Sequence, residues 1–274
     1  MLEFGTDDPM AARALRAMYH AAATTTAPAT LRYGLHRSRA GSYVAASPER
    51  PLLTGASLTD AWAYLEWRAT EDLLNGPGGD DVFLHAAGAE VGRRLMLIVG
   101  DSGAGKSTLV AHLLLRGHRM LGDDLVRFAP QDCTFSAVGR SVKIDANALN
   151  DMPLIASACA AAAVGTLLAA GCYYVSPAAI RHDWQAQPRK PWAVVLLEAE
   201  ARDGAAGIAR SSDGEAGVYV TEKVLSREPG VEVGAVRTEV VSRLLESLAE
   251  VAAYRAAGHD PAAIAEALEK EALR

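Results

Sequence analysis

Residues 100–108 read Gly100-Asp101-Ser102-Gly103-Ala104-Gly105-Lys106-Ser107-Thr108. They fit G-x-x-x-x-G-K-[ST], the phosphate-binding P-loop pattern. Before them, Leu95-Met96-Leu97-Ile98-Val99 reads as a short buried strand; after them, Leu109, Val110, Leu113 and Leu114 recur at helical spacing. Strand, loop and helix in that order is the context the pattern requires. The glycines let the backbone curl so that its N–H groups face phosphate oxygens. The helix N-terminus adds its partial positive charge. In such a loop Lys106 reaches the β- and γ-phosphates and Ser107 holds Mg²⁺. The stretch therefore predicts an α/β fold with a nucleotide-binding core.

Composition narrows the classes around that core. The chain has 274 residues, 50% hydrophobic and 22% charged, with a net charge of -6. The acidic balance offers no basic field to draw nucleic acid, so no nucleic-acid partner is expected. Cys133, Cys159 and Cys172 lack C-x-x-C spacing and read as reduced thiols rather than a zinc site. The N-terminus shows no basic-then-apolar run, and a cytoplasmic location is expected. No charged residue occurs from Met152 to Ile180, a length that would span a bilayer. Pro153, Gly165, Gly171 and Pro177 interrupt it, so the expectation is an Ala-rich buried or mobile helix and no membrane association.

Along the chain, Asp8-Pro9 caps a first helix with Leu15, Met18 and Tyr19 on one face. A polar connector follows at residues 24–30, then a hairpin from Leu31 to His36 and Ser42 to Ala46. Ser57 opens a second helix with Asp60 in a capping-box position and an apolar stripe of Leu58, Trp62, Leu65, Ala69 and Leu73. The run from Asn75 to Asp80 marks a boundary. These signals divide the chain into an N-terminal helical and hairpin extension (1–80), a P-loop core (81–234) and C-terminal helices (235–274). Residues 200–217 read as a mobile surface loop. Val236, Val240, Val241, Leu244, Leu245, Leu248 and Val251 mark one long amphipathic helix, packed on its own core or on a neighbour in a homo-oligomer. Asp260-Pro261 caps a last helix with Glu266 and Lys270 paired at i,i+4.

A P-loop alone does not name a reaction. Many such enzymes add an acidic residue at a strand end to help hold Mg²⁺. Two candidates compete: the pair Asp123-Asp124 at an apolar strand junction, and Glu198 after Ala193-Val194-Val195-Leu196-Leu197.

The P-loop followed by Arg116-Gly-His-Arg and then Asp123-Asp124, with Leu84-His85-Ala86 upstream, resembles the catalytic domain of the HPr kinase/phosphorylase family. It is most similar to the HPr-kinase-related serine kinases, some of which phosphorylate a serine on a precursor peptide of a natural-product pathway. The likeness covers roughly residues 82–130. It implies a core of the HPr-kinase type with a mixed sheet. It also implies that Asp123 is the base, that Asp124 supports Mg²⁺ or positions Asp123, and that His85 sits beside the acidic pair and the γ-phosphate.

The chain departs from the family in lacking an E-I-R-G-L-G type run, which puts the reverse phosphorylase activity and HPr itself as substrate in doubt. Arg140 and Lys143 lie in a comparable place and offer either a phosphate contact or a surface salt bridge. The expectation is an ATP- and Mg²⁺-dependent serine kinase acting on a peptide or small protein. Its catalytic residues would be Asp123, His85 and Lys106, with Ser107 and Asp124 at the metal and residues 100–108 around the nucleotide. The alternatives are a small-molecule hydroxyl kinase and a nucleotide-driven switch ATPase.

Overall fold

The computed structural model describes residues 2–18, 31–47, 51–75, 81–153, 155–157, 166–169, 171–198, 207–212, 214–225, 238–258 and 260–274. The expected connector at 24–30, the break at 76–80 and Cys159 lie outside these residues. So do Tyr19, most of the uncharged stretch between 154 and 165, and the start of the 200–217 loop.

In chain order the first elements are β1 (Leu2–Gly5), α1 (Pro9–Met18), β2 (Leu31–Arg37), β3 (Tyr43–Ala46), β4 (Pro51–Ala56) and α2 (Leu58–Asn75). Next come β5 (Val82–Leu84), β6 (Ala87–Val91), β7 (Arg94–Val99), α3 (Lys106–Leu115), β8 (Arg119–Gly122), β9 (Val126–Ala129) and β10 (Thr134–Ala137). β11 (Val142–Asp145), β12 (Thr166–Ala169), β13 (Cys172–Val175), α4 (Pro177–Ile180), β14 (Ala193–Glu198) and β15 (Gly207–Arg210) follow. The chain closes with α5 (Glu215–Thr221), β16 (Val224–Leu225), α6 (Thr238–Leu248), β17 (Ala252–Ala257) and α7 (Pro261–Leu273).

These elements form two compact units, residues 1–77 with 139–179, and residues 78–138 with 180–274. This differs from boundaries at 80 and 234. Residues 139–179 return to the first unit because their strands complete its core. Tyr174 of β13 meets Trp62 of α2 edge-on, with ring centroids 4.4 Å apart, and α1 packs on β12 and β13.

The first unit follows its local signals. Asp8 Oδ2 accepts the Ala11 N–H at 2.8 Å, with Pro9 opening α1. Ser57 Oγ accepts the Asp60 N–H at 3.1 Å and donates to Asp60 Oδ2 at 2.7 Å. One face of α2 then buries Trp62, Leu65 and Ala69. The Trp62 indole donates to the Ala14 carbonyl at 3.0 Å, so burying the ring strands no polar group. Strands β1-β2-β3-β4 form one sheet, with β2 and β3 as the anticipated hairpin. β11-β13-β12 form a second.

In the uncharged stretch residues 153 and 155–157 are helical, and further along it the chain forms the strands β12 and β13. They pair antiparallel, and Tyr173-Tyr174-Val175 favours an extended, half-buried backbone over a helical one. No described helix is long and apolar enough to cross a membrane.

The second unit is built on a six-stranded mixed sheet of order β15-β17-β14-β7-β6-β8. β7, β14 and β17 are mutually parallel, and β6 runs against both β7 and β8. An antiparallel sheet, β10-β9-β5-β16, shares its core with the larger one through Leu95, Leu97, Val99, Leu121, Val126, Phe128, Phe135 and Leu244. Two expectations change here. The helix anticipated through Val251 ends at Leu248, and Ala252–Ala257 becomes a strand paired with β14. Gly207–Arg210, within the anticipated loop, is the sheet's edge strand on β17. In both places strand pairing in the folded chain overrides a composition that reads as helix or loop.

Candidate functional site

The register of β6, β7 and β8 gathers the site. β6 pairs Ala87 with Ile98 of β7 and Gly88 with Gly122 of β8, antiparallel in each case. The start of β6 and the ends of β7 and β8 therefore share one sheet edge. His85 lies just before β6, the Gly-rich loop just after β7, and Asp123-Asp124 just after β8. The carboxyl edge of an open α/β sheet is where such folds offer a crevice to ligands. Gly105 precedes α3 with φ 95°, a left-handed conformation that disfavours any side chain. Gly122 is required by space, since a Cβ there would lie 2.7 Å from the Leu125 carbonyl oxygen. The acidic pair thus sits in a turn that only glycine can enter this tightly.

Lys106 is buried, and its Nζ donates to the carbonyls of Gly100 at 2.9 Å and Asp101 at 3.0 Å. Burial pulls its pKa below the ordinary lysine value, opposed most strongly by the charge of Asp124 and more weakly by Asp101 and Asp123. His85 Nε2 lies 2.7 Å from Asp124 Oδ1. Asp123 is 4% exposed, whereas the Asp124 side chain is 45% exposed. His85, expected beside the acidic pair, meets Asp124, the carboxylate of the two that faces out.

Lys223 belongs to this group and sequence reasoning missed it. Its Nζ lies 2.8 Å from Asp101 Oδ1 inside the loop, and this bond holds the Asp101 carboxyl below the usual carboxylate range. Nothing in Thr221-Glu222-Lys223 announces a site. Lys223 arrives through pairing: Val224 of β16 aligns with Leu84 of β5, and the His85 N–H donates to the Lys223 carbonyl at 2.8 Å.

Other candidates are engaged elsewhere. Glu198 Oε1 accepts from Arg255 Nη1 at 2.9 Å, and Arg255 also meets Glu215 and Tyr219. Arg140 pairs with Glu66, and the Lys143 ammonium lies 5.9 Å from the Tyr174 ring centre, both within the first unit. The Arg116-Gly-His-Arg run fastens the unit's own elements: Arg116 and His118 meet Glu269 on α7, and Arg119 meets Asp183.

The Arg255 hub carries a pH expectation. Hydrogen bonds from Tyr219 and Ser212 pull the Glu215 carboxyl from 4.5 to about 2. A carboxyl depressed by folding stabilises the fold above its ordinary pKa, and that contribution fades as pH falls from 4.5 toward about 2. Thermal melts of the wild type and Glu215→Gln should differ most near neutral pH and converge at the acid end of that window.

Among the described residues, no three His, Cys, Asp or Glu side chains are arranged as a metal cage. Mg²⁺ needs none in a nucleotide site, where one or two carboxylates, waters and phosphate oxygens complete its shell. Ser107, in the first turn of α3, and the Asp123-Asp124 turn are the oxygen donors that could complete such a shell. Chemically, the arrangement is an anion cradle at a helix N-terminus, with a buried cation and a histidine-bound carboxylate at its rim.

No protein-family model matches the chain, and no curated protein matches it. Among solved structures it is similar to the Hpr(Ser) kinase/phosphatase from Coxiella burnetii. That match has 14% sequence identity and a TM-score of 0.36, covering 70% of this chain and 90% of that one.

Proposed function

We propose that the chain is an ATP- and Mg²⁺-dependent kinase that transfers the γ-phosphate to a serine hydroxyl of a peptide or small protein in the cytoplasm. The observation that carries this reading is the meeting of Lys106 with the Asp124–His85 pair on one sheet edge. Residues 100–108 supply backbone N–H groups to the phosphates, and Lys106 neutralises the charge that builds on the transferring group. Mg²⁺, bound by the nucleotide with Ser107 and the acidic turn, supplies further neutralisation of the phosphates. As the serine oxygen bonds to the γ-phosphorus, the bond from that phosphorus to the bridging oxygen breaks, ADP leaves, and a carboxylate takes the hydroxyl proton. The sequence reading gave that role to Asp123. The geometry favours Asp124, which is accessible to an acceptor and oriented by His85, leaving the buried Asp123 to the metal side.

The test is mass spectrometry of a pool of serine-containing peptides after incubation with protein, ATP and Mg²⁺, beside Lys106→Ala. One added phosphate on a peptide, with the wild type only, is the expected result. ATP loss that needs Lys106 but leaves every peptide unmodified would move the acceptor to a small hydroxy compound or to water.

A further inference from the structure

We propose that Lys223 is a second phosphate-binding cation of the donor site, which exchanges its Asp101 partner for the terminal phosphate of a nucleoside triphosphate. The inference rests on the nucleotide reading of the loop. It assigns a residue that lies outside the loop motif and far from it in sequence.

Position argues first. Lys223 is anchored by its own carbonyl to the backbone N–H of His85, at 2.8 Å. Its Nζ reaches back over the loop to Asp101 Oδ1 at 2.8 Å. The residue thus spans from the loop to the turn that carries His85, and His85 holds Asp124 at 2.7 Å. In the proposed reaction that is the side where the outermost phosphate departs. Both ammonium groups bond to Asp101, Lys106 to its backbone carbonyl at 3.0 Å and Lys223 to its carboxylate at 2.8 Å.

Charge argues second. Lys223 pairs with the Asp101 carboxylate, and the acidic pair Asp123-Asp124 lies at the same sheet edge as the loop. An anion entering this group meets repulsion from the carboxylates unless cations turn toward it. Lys106 is held by two backbone carbonyls, and Lys223 by one carboxylate whose side chain is 90% exposed. The Lys223 side chain is 19% exposed and its carboxylate partner stands in water, which screens the pair, so exchanging Asp101 for a doubly charged terminal phosphate favours the phosphate. ADP lacks that terminal group, so the exchange selects for the triphosphate.

The experiment is calorimetric titration of Mg·ATP and Mg·ADP into wild type, Lys223→Met, Lys223→Arg, Asp101→Asn and Lys106→Ala. Thermal melts check that each variant is folded. Loss of a charge-assisted phosphate bond should weaken ATP about tenfold or more in Lys223→Met. ADP should change less than about twofold, Lys223→Arg should recover most of the ATP affinity, and Asp101→Asn should bind ATP at least as tightly as wild type. A purely structural Lys223–Asp101 pair would lower ATP and ADP equally in both Lys223→Met and Asp101→Asn, and that result overturns the inference. Unchanged ATP affinity in Lys223→Met, with Lys106→Ala impaired, overturns it while leaving the nucleotide reading intact. Wild-type ATP affinity in Lys106→Ala overturns that reading and this inference together.

Discussion

Asp124→Asn is expected to cut phosphate transfer by about 10²–10⁴-fold, the usual contribution of a positioned general base, while ATP still binds. The amide keeps the size of the carboxylate but accepts a proton far less readily. Asp123→Asn should behave differently. Asp123 as a residue is 4% exposed, so it meets an acceptor hydroxyl less readily than Asp124 does. Its loss should appear as a raised Mg²⁺ requirement that added metal partly restores. His85→Ala should fall between them, since it removes the 2.7 Å partner that orients Asp124 but leaves the carboxylate. Single-turnover transfer across a Mg²⁺ titration separates the three. A larger metal-independent loss in Asp123→Asn than in Asp124→Asn would return the base role to Asp123.

The second large effect is at Lys106. Lys106→Met is expected to lower ATP-dependent turnover by about 10³-fold or more, the scale on which cations at a transferring phosphoryl group act. Stability should not follow activity. Burial disfavours the Lys106 charge, so an apolar side chain of similar length relieves that cost, and the melting midpoint should hold or rise. Lys106→Arg is not a rescue, because a planar fork cannot replace a point charge seated on the Gly100 and Asp101 carbonyls. A variant that loses both turnover and folding would instead mark Lys106 as structural.

The sequence spelled out what is local. The glycines and lysine of residues 100–108, the caps at Asp8, Ser57 and Asp260, and the buried faces of α2 and α7 all appear where short-range rules put them. The Glu266–Lys270 pair forms at 2.6 Å, as its spacing requires. What pairing between distant segments decides was hidden. Ala252–Ala257 has the composition of a helix and becomes a strand because β14 lies alongside it. His85 and Asp124 are both singled out by the sequence, but that their side chains meet at 2.7 Å depends on the turn after Gly122. Lys223 carries no local signal at all; only the register of β16 on β5 delivers it.

The discontinuity of the first unit has a consequence for synthesis. Trp62 is wholly buried, yet the ring it rests against belongs to Tyr174, on the far side of residues 78–138. A ribosome releases the two in sequence, and at ordinary translation speeds the interval is on the order of ten seconds. During it the nascent α2 carries an uncovered aromatic face while the intervening segment emerges. Chaperone occupancy and protease sensitivity of stalled nascent chains should therefore fall only once Tyr174 has left the exit tunnel.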